Sequence, residues 1–372
     1  LKELEQKMNK QTESENGGWN TNRNKILTEL RPVHPYMARA YDFMQRWIAG
    51  EPDFTLHTSG STGIPKPIHI LRSQMQGSAA MTGKALQLGE GTRALVCLHT
   101  EYVAGVMMLV RGMELNWKLT VVEPTSNPIM NLDQQFDFTA LVPMQLAACL
   151  ENELTRNRVG LYGTILLGGA PVGLPLLNRI KELNQPVYQS YGMTETVSHV
   201  ALRRLNGVDG ATDLYTLLPS VSAGTDERGC LFVAGPMTND VLVQTNDLVE
   251  FESENRFRWL GRADNVINSG GVKILLDKVD EAVAKVLYEF GEDAAFYCWY
   301  EPDEKLGQKL VLFVELKTGK LESEKLLIEI RRHLSAFETP KHVYFADRFQ
   351  KTATDKIDKR QTANTYFNSS NG

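Results

Sequence analysis

Cysteine is scarce in this chain, and so are long apolar runs. Only four cysteines occur in 372 residues, Cys97, Cys149, Cys230 and Cys298, and no two of them form a CxxC pair. A disulfide framework or a zinc knuckle needs closer and more numerous thiols. The expectation is a reduced, cytoplasmic protein without a zinc site. The most apolar stretch, Ala94 to Val110, is broken by His99 and Glu101, whereas a bilayer-spanning helix needs about 20 apolar residues in a row. The N-terminal region is polar and lacks the apolar centre of a secretory signal. Basic residues are also in deficit: 40 Lys and Arg stand against 45 Asp and Glu, a formal net charge of −5. That excludes the basic face of a general nucleic-acid binder.

What the chain does hold is a concentration of small hydroxyls and glycines in Thr58-Ser59-Gly60-Ser61-Thr62-Gly63-Ile64-Pro65-Lys66. Glycine and serine leave backbone N–H groups bare, so such a loop can wrap an anion, and Lys66 adds a positive charge. This is the chemistry of holding a polyphosphate. The G-x-x-G-x-x-K spacing differs from the Walker A pattern. Gly60 to Gly63 alone would suit a plain surface turn; the full string, with Pro65 and Lys66 after it, points to a ligand loop.

Apolar periodicity predicts an α/β chain around this loop. Met37, Ala40, Tyr41, Met44, Trp47 and Ile48 recur at helical spacing between Pro35 and Ala49, which makes one buried helix face. A second helical pattern runs from Ser73 to Leu88 and closes at Gly89. Between Arg93 and Gln189 short apolar runs alternate with helical ones, which argues a mainly parallel sheet covered by helices. Ligands of such sheets bind beyond the carboxyl ends of the strands. The loops 58–66, 168–171 and 189–195 are therefore expected to converge on one crevice. From about 206 to 260 the runs become short and β-like, predicting a small β-rich subdomain resembling a distorted barrel. Gly261-Arg262-Ala263-Asp264-Asn265 reads as a boundary. The expected organisation is a large N-terminal domain, residues 1–261, and a small α+β C-terminal domain, residues 262–372.

Several residues then acquire candidate roles. In Tyr191-Gly192-Met193-Thr194-Glu195 the ring could stack on a base, and the carboxylate could hold Mg²⁺, which prefers hard oxygen ligands and phosphate partners. Alone, Glu195 would be an ordinary solvated acid. Asp247 in Thr245-Asn246-Asp247-Leu248 can accept two hydrogen bonds from a ribose diol, or can be a turn residue. Arg262 could serve the same sugar, a phosphate or a structural ion pair. Lys356 lies in a polar stretch where lysine is usually solvated.

Taken together and in order, TSGSTGIPK (58–66), GGAPV (168–172), YGMTE (191–195), TNDL (245–248), GRADNVINSGGVKI (261–274) and KTATDKID (351–358) resemble the adenylate-forming superfamily. That group includes acyl-CoA synthetases, peptide-synthetase adenylation domains and luciferases. The resemblance spans about residues 54 to 360. It implies an enzyme that uses ATP and Mg²⁺ to activate a carboxylic acid as its acyl-adenylate and then transfers the acyl group to CoA. It implies that Thr58, Ser59, Gly60, Ser61, Thr62, Gly63 and Lys66 hold the β- and γ-phosphates. Gly168, Gly169, Ala170 and Pro171, with Gln189, Ser190, Tyr191 and Gly192, would flank the adenine and the acyl group. Thr194 would touch the α-phosphate and Glu195 would ligate the metal. Asp247 and Arg262 would hold the ribose. Asp264 matches the hinge about which the C-terminal domain turns, Lys356 the catalytic lysine at the α-phosphate, and Gly270 and Gly271 the lining of the thiol channel.

The chain departs from the family pattern in three places. Asp355 replaces the usual glycine before the lysine. Asn246 stands where glycine is usual, and asparagine tolerates positive φ nearly as well. Only 57 residues precede the phosphate loop, so part of the layer over the acyl pocket is expected to be missing.

Within the family, the compact build and the stretch Leu98-His99-Thr100-Glu101-Tyr102-Val103-Ala104-Gly105, followed by Val106-Met107-Met108-Leu109-Val110-Arg111, resemble the o-succinylbenzoate–CoA ligases of menaquinone synthesis. That resemblance puts His99, Thr100 and Tyr102 at the mouth of the acyl pocket. An amino-acid substrate would call for an aspartate here, and only Glu101 is acidic. His199, with Arg203 and Arg204 beyond it, suits a polar or anionic acyl group, although each could equally be a buried or solvated structural residue. Two other readings stay open. One is activation of another aryl or short acid for CoA or a carrier protein. The other is a nucleotide-binding pseudoenzyme, to which Asp355 and the short N-terminal part point. Small molecules are the expected partners, nucleic acid and membrane are not, and a homodimer is left open.

Overall fold

The computed structural model describes residues 18–57, 67–208, 210–316, 321–352 and 357–369. The first strand is β1 (Trp19–Thr21), and a separate antiparallel ribbon follows, β2 (Asp53–His57) against β3 (Pro67–Leu71). Then come five parallel strands, β4 (Arg93–Val96), β5 (Lys118–Val121), β6 (Phe138–Leu141), β7 (Thr164–Leu167) and β8 (Val187–Gly192). Six antiparallel strands continue, β9 (His199–Arg204), β10 (Leu214–Leu217), β11 (Ser222–Thr225), β12 (Cys230–Ala234), β13 (Val243–Ser253) and β14 (Arg256–Arg262). All but the ribbon join one sheet in the order β1-β5-β4-β6-β7-β8-β9-β10-β14-β13-β12-β11. After β5 the chain crosses β4 to lay down β6 on its other side. The strand order therefore reverses between β4 and β6, and a crevice opens at the carboxyl ends there.

The parallel strands read as nearly unbroken apolar runs, such as Ala94-Leu95-Val96 and Ile165-Leu166-Leu167, because both faces are covered. Strand alternation sends neighbours to opposite cores. Ala94 and Val96 pack beneath α1 (Pro35–Ile48), α2 (Arg72–Leu86) and α3 (Val103–Glu114). Leu95 and Cys97 pack beneath α4 (Pro143–Glu151), α5 (Glu153–Val159) and α6 (Leu174–Lys181). The sequence pattern predicts a helix over Met144 to Asn152, where α4 stands, and does not foresee α5; Asn152 divides the two, its side chain capping Thr155 N–H at 3.2 Å. Helix α2 stops two residues ahead of Gly89, with Gln87 taking the left-handed conformation at φ 55.

Two expectations are corrected. The stretch 58–66 joins the two strands of the ribbon and so does not leave a carboxyl end of the parallel sheet. The ribbon is fastened to α1 by Phe54, whose ring lies 5.0 Å from Phe43 and 5.4 Å from Trp47. Nor do the later strands close into a barrel among the described residues: β8 pairs antiparallel with β9, so β9 to β14 extend the same sheet.

A second sheet begins at Val266 with β15 (Val266–Ser269), β16 (Val272–Leu275), β17 (Phe296–Asp303), β18 (Gly307–Glu315) and β19 (Val343–Ala346), the last parallel to β18. Helices α7 (Leu276–Glu289) and α8 (Ser323–His333) cover one face. The helix α9 (Lys359–Ser369), absent from the sequence expectations, covers the other through Ala363 beside Tyr297 and Phe313. Among the described residues no helix is long and apolar enough to cross a membrane.

Candidate active site

A cavity of about 240 Å³ lies at the point where the strand order reverses. Tyr102 reaches it from the start of α3, Val142 from the end of β6, Gly168 and Gly169 from the end of β7, and Ser190 and Gly192 from β8. Thr194 also lines it.

The inner end of this cavity is shaped by a tight reversal between β8 and β9. Val197 adopts φ 63 and ψ −50, and Ser198 N–H donates to the Thr196 carbonyl at 2.6 Å. This is the strained form of the γ-turn. A β-branched residue at positive φ costs about 1–3 kcal/mol, which burial of the Val197 side chain offsets. The turn presses Ser198 and His199 against β8. A Cβ at position 192 would lie 2.3 Å from the Ser198 carbonyl oxygen, so only glycine fits there.

His199 is buried, with Nε2 3.2 Å from Thr82 Oγ1 and Nδ1 3.3 Å from Ser198 Oγ. Burial, and after it the positive charge of Arg111, hold its pKa well below the ordinary value. Arg111 itself is 2% exposed and lines the cavity. Its Nε donates to Thr82 Oγ1 at 3.2 Å and its Nη2 to Ser198 Oγ at 2.9 Å. Burial pulls its pKa down to about 10. No carboxylate pairs with it among the described residues. A buried charge without a counter-ion is costly, and a guanidinium facing a cavity is a receptor for a carboxylate.

Motif reading reaches Arg111 at the end of the stretch that follows Gly105 but gives it no role. Its signal is nevertheless present, since it is the lone charge between Val103 and Met113. The cations expected to serve the acyl group, Arg203 and Arg204, are engaged elsewhere. Arg203 donates to Gln189 Oε1 and lies 5.4 Å over Tyr215. Arg204 lies 5.4 Å over Tyr188 and donates to the Asn206 carbonyl at 3.0 Å. Gln189 does not line the cavity, because strand alternation sets it on the face of β8 opposite Ser190 and Gly192.

A second constellation lies on β13 and β14, whose register sets Asp247 directly opposite Arg262. Asp247 accepts from the Tyr191 hydroxyl at 2.6 Å and from Trp259 Nε1 at 3.2 Å. Arg262 Nη1 stands 3.8 Å from Asp247, and Nη2 donates to Asp264 at 2.9 Å. The Asp264 hydrogen bond raises the Arg262 pKa. Burial first, and then the Asp247 charge, push the Tyr191 hydroxyl pKa up. A carboxylate has about four lone-pair directions; with two in use, Asp247 retains acceptor capacity for a sugar diol. Asn246 lies in extended β13 without a positive φ, so no glycine is required there.

Glu195 is exposed in the short turn Thr194–Thr196. Among the described residues no three acidic, histidine or cysteine side chains cluster for a metal. Mg²⁺ is commonly held by one or two carboxylates together with substrate phosphates and water, so a single exposed glutamate beside the cavity fits that ion. Thr100 lines a different groove with Arg39 and Arg46, and His99 is exposed with its ring 6.2 Å from Tyr102. Ala170 and Pro171 are exposed beyond β7. Gly270 and Gly271 make the two-residue turn between β15 and β16, with φ 61 and 86, the geometry that needs positive φ at both centres. Thr58, Ser59, Gly60, Ser61, Thr62, Gly63, Lys66, Asp355 and Lys356 lie outside the described residues.

An open α/β sheet with a crevice where its strand order reverses, joined to a small α+β unit, is the build of a nucleotide-dependent enzyme. A family model described as AMP-binding enzyme matches residues 15–222. Another, described as AMP-binding enzyme C-terminal domain, matches residues 291–356. The 2-succinylbenzoate–CoA ligase of Lactococcus lactis subsp. lactis is 26% identical over 324 residues, covering 82% of this chain and 69% of that protein. An acyl-CoA synthetase (AMP-forming)/AMP-acid ligase II-like protein from Dyadobacter fermentans, known as a crystal structure, is 58% identical. Its TM-score is 0.67, over 94% of this chain and 99% of that one. The O-succinylbenzoate coenzyme A synthetase of Bacillus subtilis, solved with ATP and magnesium ion, has a TM-score of 0.67 at 23% identity, over 83% of this chain and 69% of that one; at that identity the likeness concerns the fold alone. The chain belongs to the family of AMP-binding, adenylate-forming enzymes, and its class is that of the AMP-forming acid–thiol ligases.

Proposed function

We propose that this enzyme adenylates o-succinylbenzoate with ATP and transfers the acyl group to CoA in a reduced, cytoplasmic setting. The observation that carries the reading is Arg111, a buried cation without a carboxylate partner among the described residues, at the inner end of the cavity. A diacid must leave one carboxylate free to react and bury the other, which then needs a positive partner. Relatives named 2-succinylbenzoate–CoA ligase support the same acid.

In this reading the free carboxylate attacks the α-phosphorus of ATP, the bond to pyrophosphate breaks, and an acyl-adenylate forms. A thiolate then displaces AMP. Thr58 to Lys66 grip the β- and γ-phosphates, Thr194 meets the α-phosphate, and Asp247 with Arg262 orients the ribose. The ammonium of Lys356 stabilises charge that develops at the α-phosphate. Glu195 is the residue that would hold Mg²⁺, which when bound neutralises phosphoryl oxygens. Arg111 and neutral His199 fix the second carboxylate, while Tyr102 and Gly168 bound the acyl group. Asp264 is the hinge of a C-terminal unit beginning near residue 262, whose turn exchanges Lys356 for the Gly270-Gly271 turn between the two steps.

The test is AMP release with ATP, Mg²⁺, CoA and o-succinylbenzoate, beside benzoate and succinate. Turnover with o-succinylbenzoate well above the two monofunctional halves is expected; turnover with the others and none with o-succinylbenzoate refutes the substrate. A synthetase for a different aryl or short diacid is the second reading, favoured by the general name of the 58%-identical structure.

A further inference from the structure

The side chains around Arg111 close into a hydrogen-bonded ring. Thr82 comes from α2, Arg111 from α3, Ser198 from the strained turn and His199 from the start of β9. The polarity of the ring follows from its fixed donors. Arginine only donates, so Thr82 Oγ1 and Ser198 Oγ each offer Arg111 a lone pair, at 3.2 and 2.9 Å. Thr82 spends its own hydrogen on the Ser78 carbonyl one helical turn back, at 3.0 Å, a common bond for threonine inside a helix. Toward His199 Nε2, at 3.2 Å, it is then an acceptor again, and Nε2 carries the imidazole hydrogen. Nδ1 is the bare nitrogen. It faces Arg111 Nη2 at 3.5 Å and Ser198 Oγ at 3.3 Å, where a hydrogen on Nδ1 would oppose the guanidinium. The Ser198 hydroxyl donates to Nδ1 and closes the ring.

The ring decides which edge of Arg111 the cavity meets. A guanidinium takes a carboxylate on its Nε–Nη2 side or on its Nη1–Nη2 end, with two parallel hydrogen bonds in either case. Thr82 and Ser198 occupy the side edge. Beside Nη1, among the described residues, stands Met108 Sδ at 3.9 Å, a weak acceptor. The end edge is therefore the one left for a ligand. Thr82 is fully buried and does not line the cavity, whereas Arg111, Ser198 and His199 do. His199 has both nitrogens in the ring, so its polar atoms reach a ligand only through Arg111.

We propose that Thr82 and His199 are positioning residues: with His199 held as its Nε2–H tautomer, they turn the Nη1–Nη2 edge of Arg111 into the cavity, where it receives the second carboxylate of a diacid end-on. This rests on Arg111 being the receptor for that carboxylate. Removing the Thr82 hydroxyl leaves Arg111 Nε and His199 Nε2 without their acceptor. The imidazole hydrogen then moves to Nδ1, where Ser198 can accept it, and the guanidinium loses the tie that aims it.

The experiment uses the full chain and two readouts. Wild type, T82V, T82S, R111M and the double variant T82V/R111M are compared by AMP release at varied o-succinylbenzoate and at varied ATP. T82V is expected to raise the KM for the acid about tenfold and to leave that for ATP within about twofold. T82S, which restores the hydroxyl, should return the wild-type KM. In the R111M background T82V should add nothing, because a positioning residue acts only through the residue it aims. The same factor in both backgrounds, or equal shifts for acid and ATP, overturns the proposal. An R111M protein with the wild-type KM for the acid refutes the carboxylate reading itself, and the positioning role with it. The second readout needs neither a substrate nor a change at Thr82, and decides where T82V does not fold or no acid tried is turned over. It is the ¹⁵N spectrum of histidine-labelled protein, in which H199Q identifies the relevant one of seven histidines by its loss. A neutral ring with its hydrogen on Nε2 sustains the proposal; a hydrogen on Nδ1, or on both nitrogens, overturns it.

Discussion

Replacing Arg111 by methionine separates a binding role from a structural one, because the two predict opposite signs for stability. Burial moves the guanidinium pKa from 12.5 to about 10, and that displacement corresponds to about 3 kcal/mol of penalty on the charged form. Arg111 is charged in both folded and unfolded chains at pH 7. The penalty is therefore fully present there, and lifts only as pH rises past the depressed folded value of about 10. Against it stand the hydrogen bonds to Thr82 and Ser198, worth about 1 kcal/mol each. R111M is thus expected to be neutral or more stable by about 1 kcal/mol, raising Tm by a few degrees. On the proposed reading the same change also removes a charge-assisted contact to the substrate's second carboxylate, worth about 1.5–3 kcal/mol. The KM for o-succinylbenzoate should rise roughly 10- to 100-fold, with less effect on kcat, since the contact persists from ground state to transition state. R111K keeps the charge without the planar fork and should fall between. Thermal unfolding and initial rates at varied acid concentration measure both. An R111M protein that loses several kcal/mol and retains its KM for the acid would refute the reasoning and make Arg111 structural.

Other expectations follow from the same geometry. His199 stays neutral in the folded chain, while in the unfolded chain it protonates near its ordinary value, about 6.5. Its contribution is full above about pH 6.5 and is lost as pH falls from there toward the depressed folded value; H199Q should flatten that loss in urea titrations, and identical pH slopes in both proteins count against it. G192A drives a methyl group toward the Ser198 carbonyl and should cost about 1–3 kcal/mol and lower ATP–pyrophosphate exchange. G89A, with nothing within 4 Å of the added carbon, should be nearly neutral; comparable losses in both would deny the close approach its importance. D247N should raise the KM for ATP about tenfold by weakening charge-assisted hydrogen bonds to the ribose while sparing the KM for the acid; an equal shift in both would mean general damage to the sheet.

Local pattern alone made the family and the α/β class legible. The strings around 58–66, 168–172, 191–195, 245–248 and 261–274 are contiguous, and contiguity is what a sequence displays. The helix from Pro35 and the parallel strands were equally readable, because full burial writes unbroken apolar runs and a half-buried helix writes its period. The turn at Gly270-Gly271 was visible too, since positive φ at two successive residues leaves few choices other than glycine.

Tertiary structure decided what depends on residues distant in the chain. It brought Arg111 to Thr82 and Ser198, placed Asp247 across from Arg262 by strand register, and turned Arg203 and Arg204 onto Tyr215 and Tyr188. It also set the β2–β3 ribbon apart from the parallel sheet and ran β8 on into β9 where a loop and a barrel were expected. The physical reason is the same in each case. Propensity and motif describe a residue's neighbours along the backbone, whereas the partner that satisfies a buried charge is chosen by packing. A lone arginine in an apolar helix announces that a partner must exist, and only the folded chain shows that the place left for it is a cavity.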